Sequence, residues 1–228
     1  MSMRTEKDFL GEKQLPDSAY YGVQPLRGKE NFHITGIPMA TLPYFVKAFG
    51  YVKKAAALAN RDLGVLDATV ANAIAAACDR LIAGEMADQF VTDFIQGGAG
   101  TSTNMNANEV IANLALEQLG HQKGEYQFVN PNDHVNFGQS TNDVYPTAFR
   151  LALILRLGSY MDALRRLQEA FYTKAKEFDR VLKMGRTHLQ DAVPMSLGQE
   201  FHGWGTTIGE EVQRIAEDRI RQEFREWR

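Results

Sequence analysis

A chain of 228 residues, 44% hydrophobic and 23% charged with a formal net charge of −3, has the composition of an ordinary globular protein long enough to bury a real core. It carries no basic field to hold nucleic acid and no block of like charge that would mark an interaction tail. Cys78 is the single cysteine, which excludes a disulfide framework and a cysteine-rich zinc site and suits a reducing cytosol. The opening residues lack the apolar core of a signal peptide. No apolar run approaches the roughly 20 residues that span a bilayer. The expectation is a cytoplasmic protein with neither membrane nor nucleic acid as partner.

Residues 1 to about 41 are rich in turn formers, among them Gly11, Pro16, Gly22, Pro25, Gly28, Gly36 and Pro38. They read as loops with short extended pieces around Tyr20–Val23. Helical pattern begins after Pro43, a good first-turn residue. Phe45, Phe49, Val52, Ala56 and Ala59 step by three or four, and Gly64 lies past the end. A second helix is predicted from about Asp67 to Ala83, stopping before Gly84. A third runs from near Asn104 to Gly120, a natural C′ glycine.

Two longer helical patterns follow. The first starts near Asn142 and carries Leu151, Ile154, Leu157, Met161, Leu164, Leu167 and Phe171 on one stripe to about Phe178, a length of roughly 50 Å. The second starts at Ser196 and keeps helical spacing through Leu197, Phe201, Trp204, Ile208, Val212, Ile215, Ile220, Phe224 and Trp227. No cap residue follows it. Two such helices leave apolar faces uncovered, so the pattern suggests a truncated chain or a bundle completed by other subunits. The fold expected is all-α, with an N-terminal mostly helical domain over 1–140 and the first two long helices of a central bundle over 141–228.

The connectors before the helices hold the chemistry. Gln96–Asn106 combines small residues with Thr101, Ser102, Thr103 and Asn104 at a helix start. Asn130–Asp143 repeats the arrangement with Ser140, Thr141 and Asn142. Hydroxyls and amides of this kind are ordinary N-caps; they also bind carboxylates and phosphates, because helix N-termini offer free N–H groups and a positive dipole end. The third connector, Gly185–Asp191, contains Arg186, which suits a carboxylate partner, and Thr187 and His188. His188 is the best-placed candidate for an acid, a base or a carboxylate donor. His134 lies in a polar loop where it serves either the site or the loop backbone, and His33, His121 and His202 read as structural or exposed. There is no His-x-x-x-His pair for zinc, no Gly-Lys-Ser/Thr of a phosphate-binding loop and no dinucleotide fingerprint. Neutral donors at helix starts suit the binding of an anion and the growth of charge on an oxygen, as when a proton leaves a carbon beside a carboxylate.

Gly97–Asn108, Asn130–Thr147 and Gly185–Glu200 resemble the three substrate-binding blocks of the fumarase/aspartase superfamily. Glu6–Gly11, Tyr20–Gln24 and Glu30–Phe32 are similar to its N-terminus, so the likeness runs from about residue 5 to 217. Thr141, where fumarases usually have Ser, and Val193 before Pro194, where they commonly have Thr, lean toward its aspartase branch. The resemblance implies a homotetrameric lyase, without metal or cofactor, that removes ammonia from L-aspartate to give fumarate. It implies that Thr101, Ser140 and Thr141 hold the β-carboxylate and its aci-carboxylate intermediate, that Asn142 meets the substrate amino group, and that Thr187 and His188 grip a carboxylate. The family base is a serine on a Gly-Ser-Ser loop that has no counterpart in these residues, and residues 218–228 depart from the family pattern. Both departures point to a chain that is inactive by itself.

Overall fold

The computed structural model describes residues 2–225, with side chains through residue 218. Trp227, and the side chains of Ile220 and Phe224 in the expected stripe, lie outside the described residues, as do most side chains of the divergent end. The fold is mostly helical, with two small antiparallel hairpins. The chain divides into two compact units, Met1–Leu153 and Ile154–Arg228. The division falls inside a long helix, whereas a boundary at 140/141 would fall at its start.

The first unit opens with a hairpin of β1 (Met3–Asp8) and β2 (Gly11–Pro16), in register from Met3 opposite Pro16 to Asp8 opposite Gly11. Helix α1 (Val23–Asn31) follows. Both correct the reading of residues 1–41 as loop with extended pieces near Tyr20–Val23. The cause is tertiary. Arg4 donates to the carbonyls of Pro16, Ala19 and Tyr21 at 2.9, 2.7 and 3.0 Å, which ties the hairpin to the segment after it. Pro25 and Gly28 make α1 a poor helix by propensity, but its free N-terminal amides are capped by distant glutamate carboxyl groups. Glu109 accepts from Gly22 N–H at 2.8 Å and Glu6 from Val23 N–H at 3.2 Å.

Helices α2 (Pro43–Asp62) and α3 (Ala68–Ala83) match the predicted spans. Pro43 stands in the first turn of α2. Asp67 caps α3 by accepting from the amides of Thr69 and Val70, and Gly84 ends it at φ +91°. The two helices approach closely at Gly50, where an added Cβ would lie 2.9 Å from Ile82 and 3.0 Å from the Cys78 carbonyl. The buried face of α2 is Phe45, Val46, Phe49, Lys53 and Ala57; Ala59 of the expected stripe is exposed. Helix α4 (Thr101–Gln118) runs through the middle of the unit, buried continuously from Thr103 to Leu116. Its polar residues are held by the loops around it: Asn106 bonds Gln89 O and Val91 N, and Asn113 bonds Tyr20 O and Gly124 N. A single π-helical turn (Pro131–Val135) precedes α5 (Thr141–Glu177).

The second unit holds the rest of α5, a hairpin of β3 (Leu182–Thr187) and β4 (Gln190–Ser196), and α6 (Leu197–Arg225). The two long helices fall where periodicity places them, at 37 and 29 residues. The hairpin corrects the reading of Gly185–Asp191 as a loop. It carries no Gly or Asn in its turn, so it lacks the usual hairpin signal. A ring cluster joins α6 to α5 and to the residue just after it within this unit: Phe171 to Trp204 at 5.8 Å and Phe178 to Phe201 at 5.5 Å between centroids. Among the described residues no helix is long and apolar enough to cross a membrane.

Candidate functional site

Four of the six expected site residues lie in the first unit, at the starts of α4 and α5. Gly98 and Gly100 take φ of +69° and +87°, a region only glycine enters freely. Gly100 is the residue before α4 and its face is closed by the ring of Tyr145 from α5, leaving no room for a side chain. Gln96 reaches over the first turn of α4. Its carbonyl accepts from Thr103 N–H at 2.7 Å and its amide donates to the Thr103 hydroxyl at 2.5 Å. Thr101 and Ser102 at the head of the helix therefore keep their hydroxyls. Thr101 is exposed and lines a cavity of about 450 Å³ with Arg27, Phe32 and Ser102. Asn142 lines an open cleft of about 460 Å³ with Gly98, Gly100 and Tyr145.

At the head of α5, Ser140 Oγ accepts from Asn142 N–H at 3.2 Å, and its carbonyl accepts from the amides of Asp143 and Val144. Thr141 Oγ1 accepts from Asn104 Nδ2 at 3.1 Å, a direct link between the two helix starts. The other Asn104 N–H goes to Asn136 Oδ1 at 3.1 Å. Asn104 Oδ1 is buried with no partner.

Sequence reasoning missed Lys53. It sits fully buried on the apolar face of α2 and donates to Asn136 Oδ1 at 2.8 Å and Gln139 Oε1 at 3.0 Å. Burial pushes its ammonium down to about 7. A signal was available, since Lys53 stands one turn from Phe49 and from Ala57, in the core stripe. Cys78 on α3 is buried as well, and burial pushes its thiol up to about 12.

Thr187 and His188 belong to the second unit. His188 and Leu189 form the apex of the β3–β4 hairpin, both with positive φ, +52° and +62°, and His188 is exposed. Arg186 pairs with Asp191 of the same hairpin at 3.4 Å. His134 accepts from Asn130 N–H through Nδ1 at 2.9 Å, satisfying loop backbone. His121 stacks on Phe128 with centroids 3.8 Å apart. Among the described residues no group of three or more His, Cys, Asp or Glu is placed to hold a metal ion.

The lyase family model matches residues 11–225. The chain belongs to that family, within the fumarase/aspartase superfamily. Among its relatives, the aspartate ammonia-lyase of Pseudomonas fluorescens is 57% identical over 214 residues, 94% of this chain and 45% of the relative. That of Helicobacter pylori J99 is 55% identical over 217 residues, 95% of this chain and 46% of the relative. The chain thus spans about half the length of the curated relatives it matches. A solved fumarate lyase:delta crystallin from Brucella melitensis superposes with a TM-score of 0.87 at 52% identity, covering 96% of this chain and 51% of that one. A class II fumarase from Schistosoma mansoni gives 0.79 at 36%, covering 93% and 44%. The lyase family thus accounts for the helical architecture, and the higher identities fall to the aspartate ammonia-lyases.

Proposed function

We propose that this chain is part of a carbon–nitrogen lyase that converts L-aspartate reversibly to fumarate and ammonia. The observation that carries the reading is the pair of helix starts joined at Asn104 and Thr141, where neutral hydroxyls and amides gather beside the acidic Asp143 of the same first turn. Two helix N-termini and the hydroxyls of Thr101, Ser140 and Thr141 form a donor surface for the β-carboxylate. A base removes the Cβ proton, the electron pair moves onto the β-carboxylate as an aci-carboxylate, and the C–N bond then breaks to release ammonia. Donors fixed in advance where that charge grows are each worth a few kcal/mol. Asn142 meets the substrate amino group, and Thr187 and His188 hold a carboxylate. The base is a serine loop of the family type, which these 228 residues do not contain. Sites in this reading are assembled in a homotetramer, with blocks arriving from different subunits, in the cytoplasm.

The test is the purified 228-residue chain with L-aspartate and with malate in parallel, followed by fumarate absorbance and by amide shifts of Ser140–Asn142. Binding of aspartate and fumarate at those amides without turnover is expected. Ordinary turnover would show that a base exists within these residues, and silence at the amides would sink the substrate assignment. A second reading, fumarate hydration to malate, is favoured by the likeness to class II fumarase. Preferential shifts with malate over aspartate would select it.

A further inference from the structure

Lys53 is a fully buried cation whose two partners are side-chain amides, those of Asn136 and Gln139. Among the described residues it forms no ion pair, and the titratable group that faces it, Cys78 of α3, is held neutral by burial. Helix α4 presents Asn104 to the same network, and the segment after the π-helical turn presents Asn136 and Gln139. Lys54, its neighbour on α2, is occupied outside by Asp79 at 2.6 Å. A buried ammonium with no counter-charge is unfavourable unless something else requires it.

The hydrogen bonds show what that is. Lys53 Nζ and Asn104 Nδ2 both donate to Asn136 Oδ1, which fixes the orientation of the Asn136 amide. The remaining Asn104 N–H is thereby aimed at Thr141 Oγ1. With that oxygen accepting, the Thr141 hydroxyl proton is left to donate to another acceptor. We propose that Lys53 is a positioning residue: through Asn136 and Asn104 it sets Thr141 as a donor, and its charge behind the start of α5 is matched by the carboxylate of the bound dicarboxylate. This rests on the lyase reading above. The lowered affinity of Lys53 for its proton makes the device sensitive near neutral pH, and by reciprocity a bound dianion raises that affinity.

The test is NMR on the 228-residue chain, with fumarate as probe, a dianion throughout pH 6 to 9. The Lys53 side chain and the Asn104 and Asn136 amides are titrated without ligand; fumarate affinity is then read at Ser140–Asn142 at both pH limits. Expected are amides that move with Lys53, fumarate binding on the order of tenfold weaker at pH 9, and a Lys53 midpoint raised by fumarate. Lys53→Arg, which stays charged, keeps the affinity at both pH values, whereas Lys53→Met is weak at both. A pH dependence that survived in Lys53→Arg would overturn the assignment. So would wild-type affinity that is constant from pH 6 to 9, a comparison that holds even where Lys53→Met does not fold. If fumarate moves nothing while the amides follow Lys53, the lyase reading has failed and the relay stands. If the amides stay still, the relay is overturned whatever fumarate does.

Discussion

Asn104 Nδ2 lies 3.1 Å from Thr141 Oγ1, so a buried amide in the first turn of α4 dictates which way a hydroxyl at the start of α5 points. Thr141→Val keeps the shape and removes both the acceptor and the donor. Fumarate affinity is expected to fall about tenfold, and stability by about 1–2 kcal/mol because an Asn104 N–H loses its partner. Thr141→Ser is expected to retain both. Calorimetric binding and urea unfolding of the two variants check this.

Gly100 is the backbone hinge of the same site. Its φ of +87° and the Tyr145 ring against it leave no room for Cβ. Gly100→Ala is expected to destabilise by more than about 2 kcal/mol, combining positive-φ strain with a clash. Adding Tyr145→Ala relieves the clash but not the strain, so the double variant recovers part of what the single change lost beyond the cost of the lost ring. Denaturant midpoints of Gly100→Ala, Tyr145→Ala and the pair give the coupling directly.

These two sites also show where the sequence is readable. Asp67, Gly84 and Pro43 are local signals, and α2 and α3 begin and end by them. The long apolar repeats gave α5 and α6 for the same reason. What escaped depends on partners far along the chain. Helix α1 exists because Glu109, more than 80 residues away, caps it. The hairpins close without Gly or Asn at the first two turn positions. Lys53 stands in the core stripe of α2, but what it does there is not readable until Asn136 and Gln139 are known to meet it. The hydroxyl-rich helix starts were legible as anion-binding candidates; the relay that orients Thr141 was not.

The β3–β4 turn holds two non-glycine residues at positive φ, His188 and Leu189. Leu189 is almost wholly exposed, so its side chain contributes nothing to the fold. Leu189→Gly removes the strain at one of these two positions and is expected to stabilise the hairpin by about 1 kcal/mol. Slower amide exchange at Thr187 and Gln190, the pair that closes the turn, is the readout. Unchanged exchange would mean that the turn is not strained in solution.

The cap on α1 carries the clearest pH dependence. Glu109 is buried beside Glu6, and burial, reinforced by that neighbouring carboxylate, holds its carboxyl well above the usual range. The folded state therefore binds the Glu109 proton more tightly than the unfolded chain does. Its contribution to stability is complete below the ordinary glutamate range and is lost as pH rises through the folded value. Glu109→Gln abolishes that titration but offers one acceptor oxygen where the carboxyl has two, so Gly22 N–H or Gln24 N–H is left short, at about 1–3 kcal/mol. The variant is expected to be less stable than the wild type in acid, with the gap closing as pH rises, since only the wild type then places a charge in the core. Urea unfolding of both proteins across pH 4 to 8 measures the difference, in which the titrating groups that do not interact with Glu109 cancel. A gap that stayed constant or widened would show that Glu109 is ionised throughout and that α1 is capped by a carboxylate.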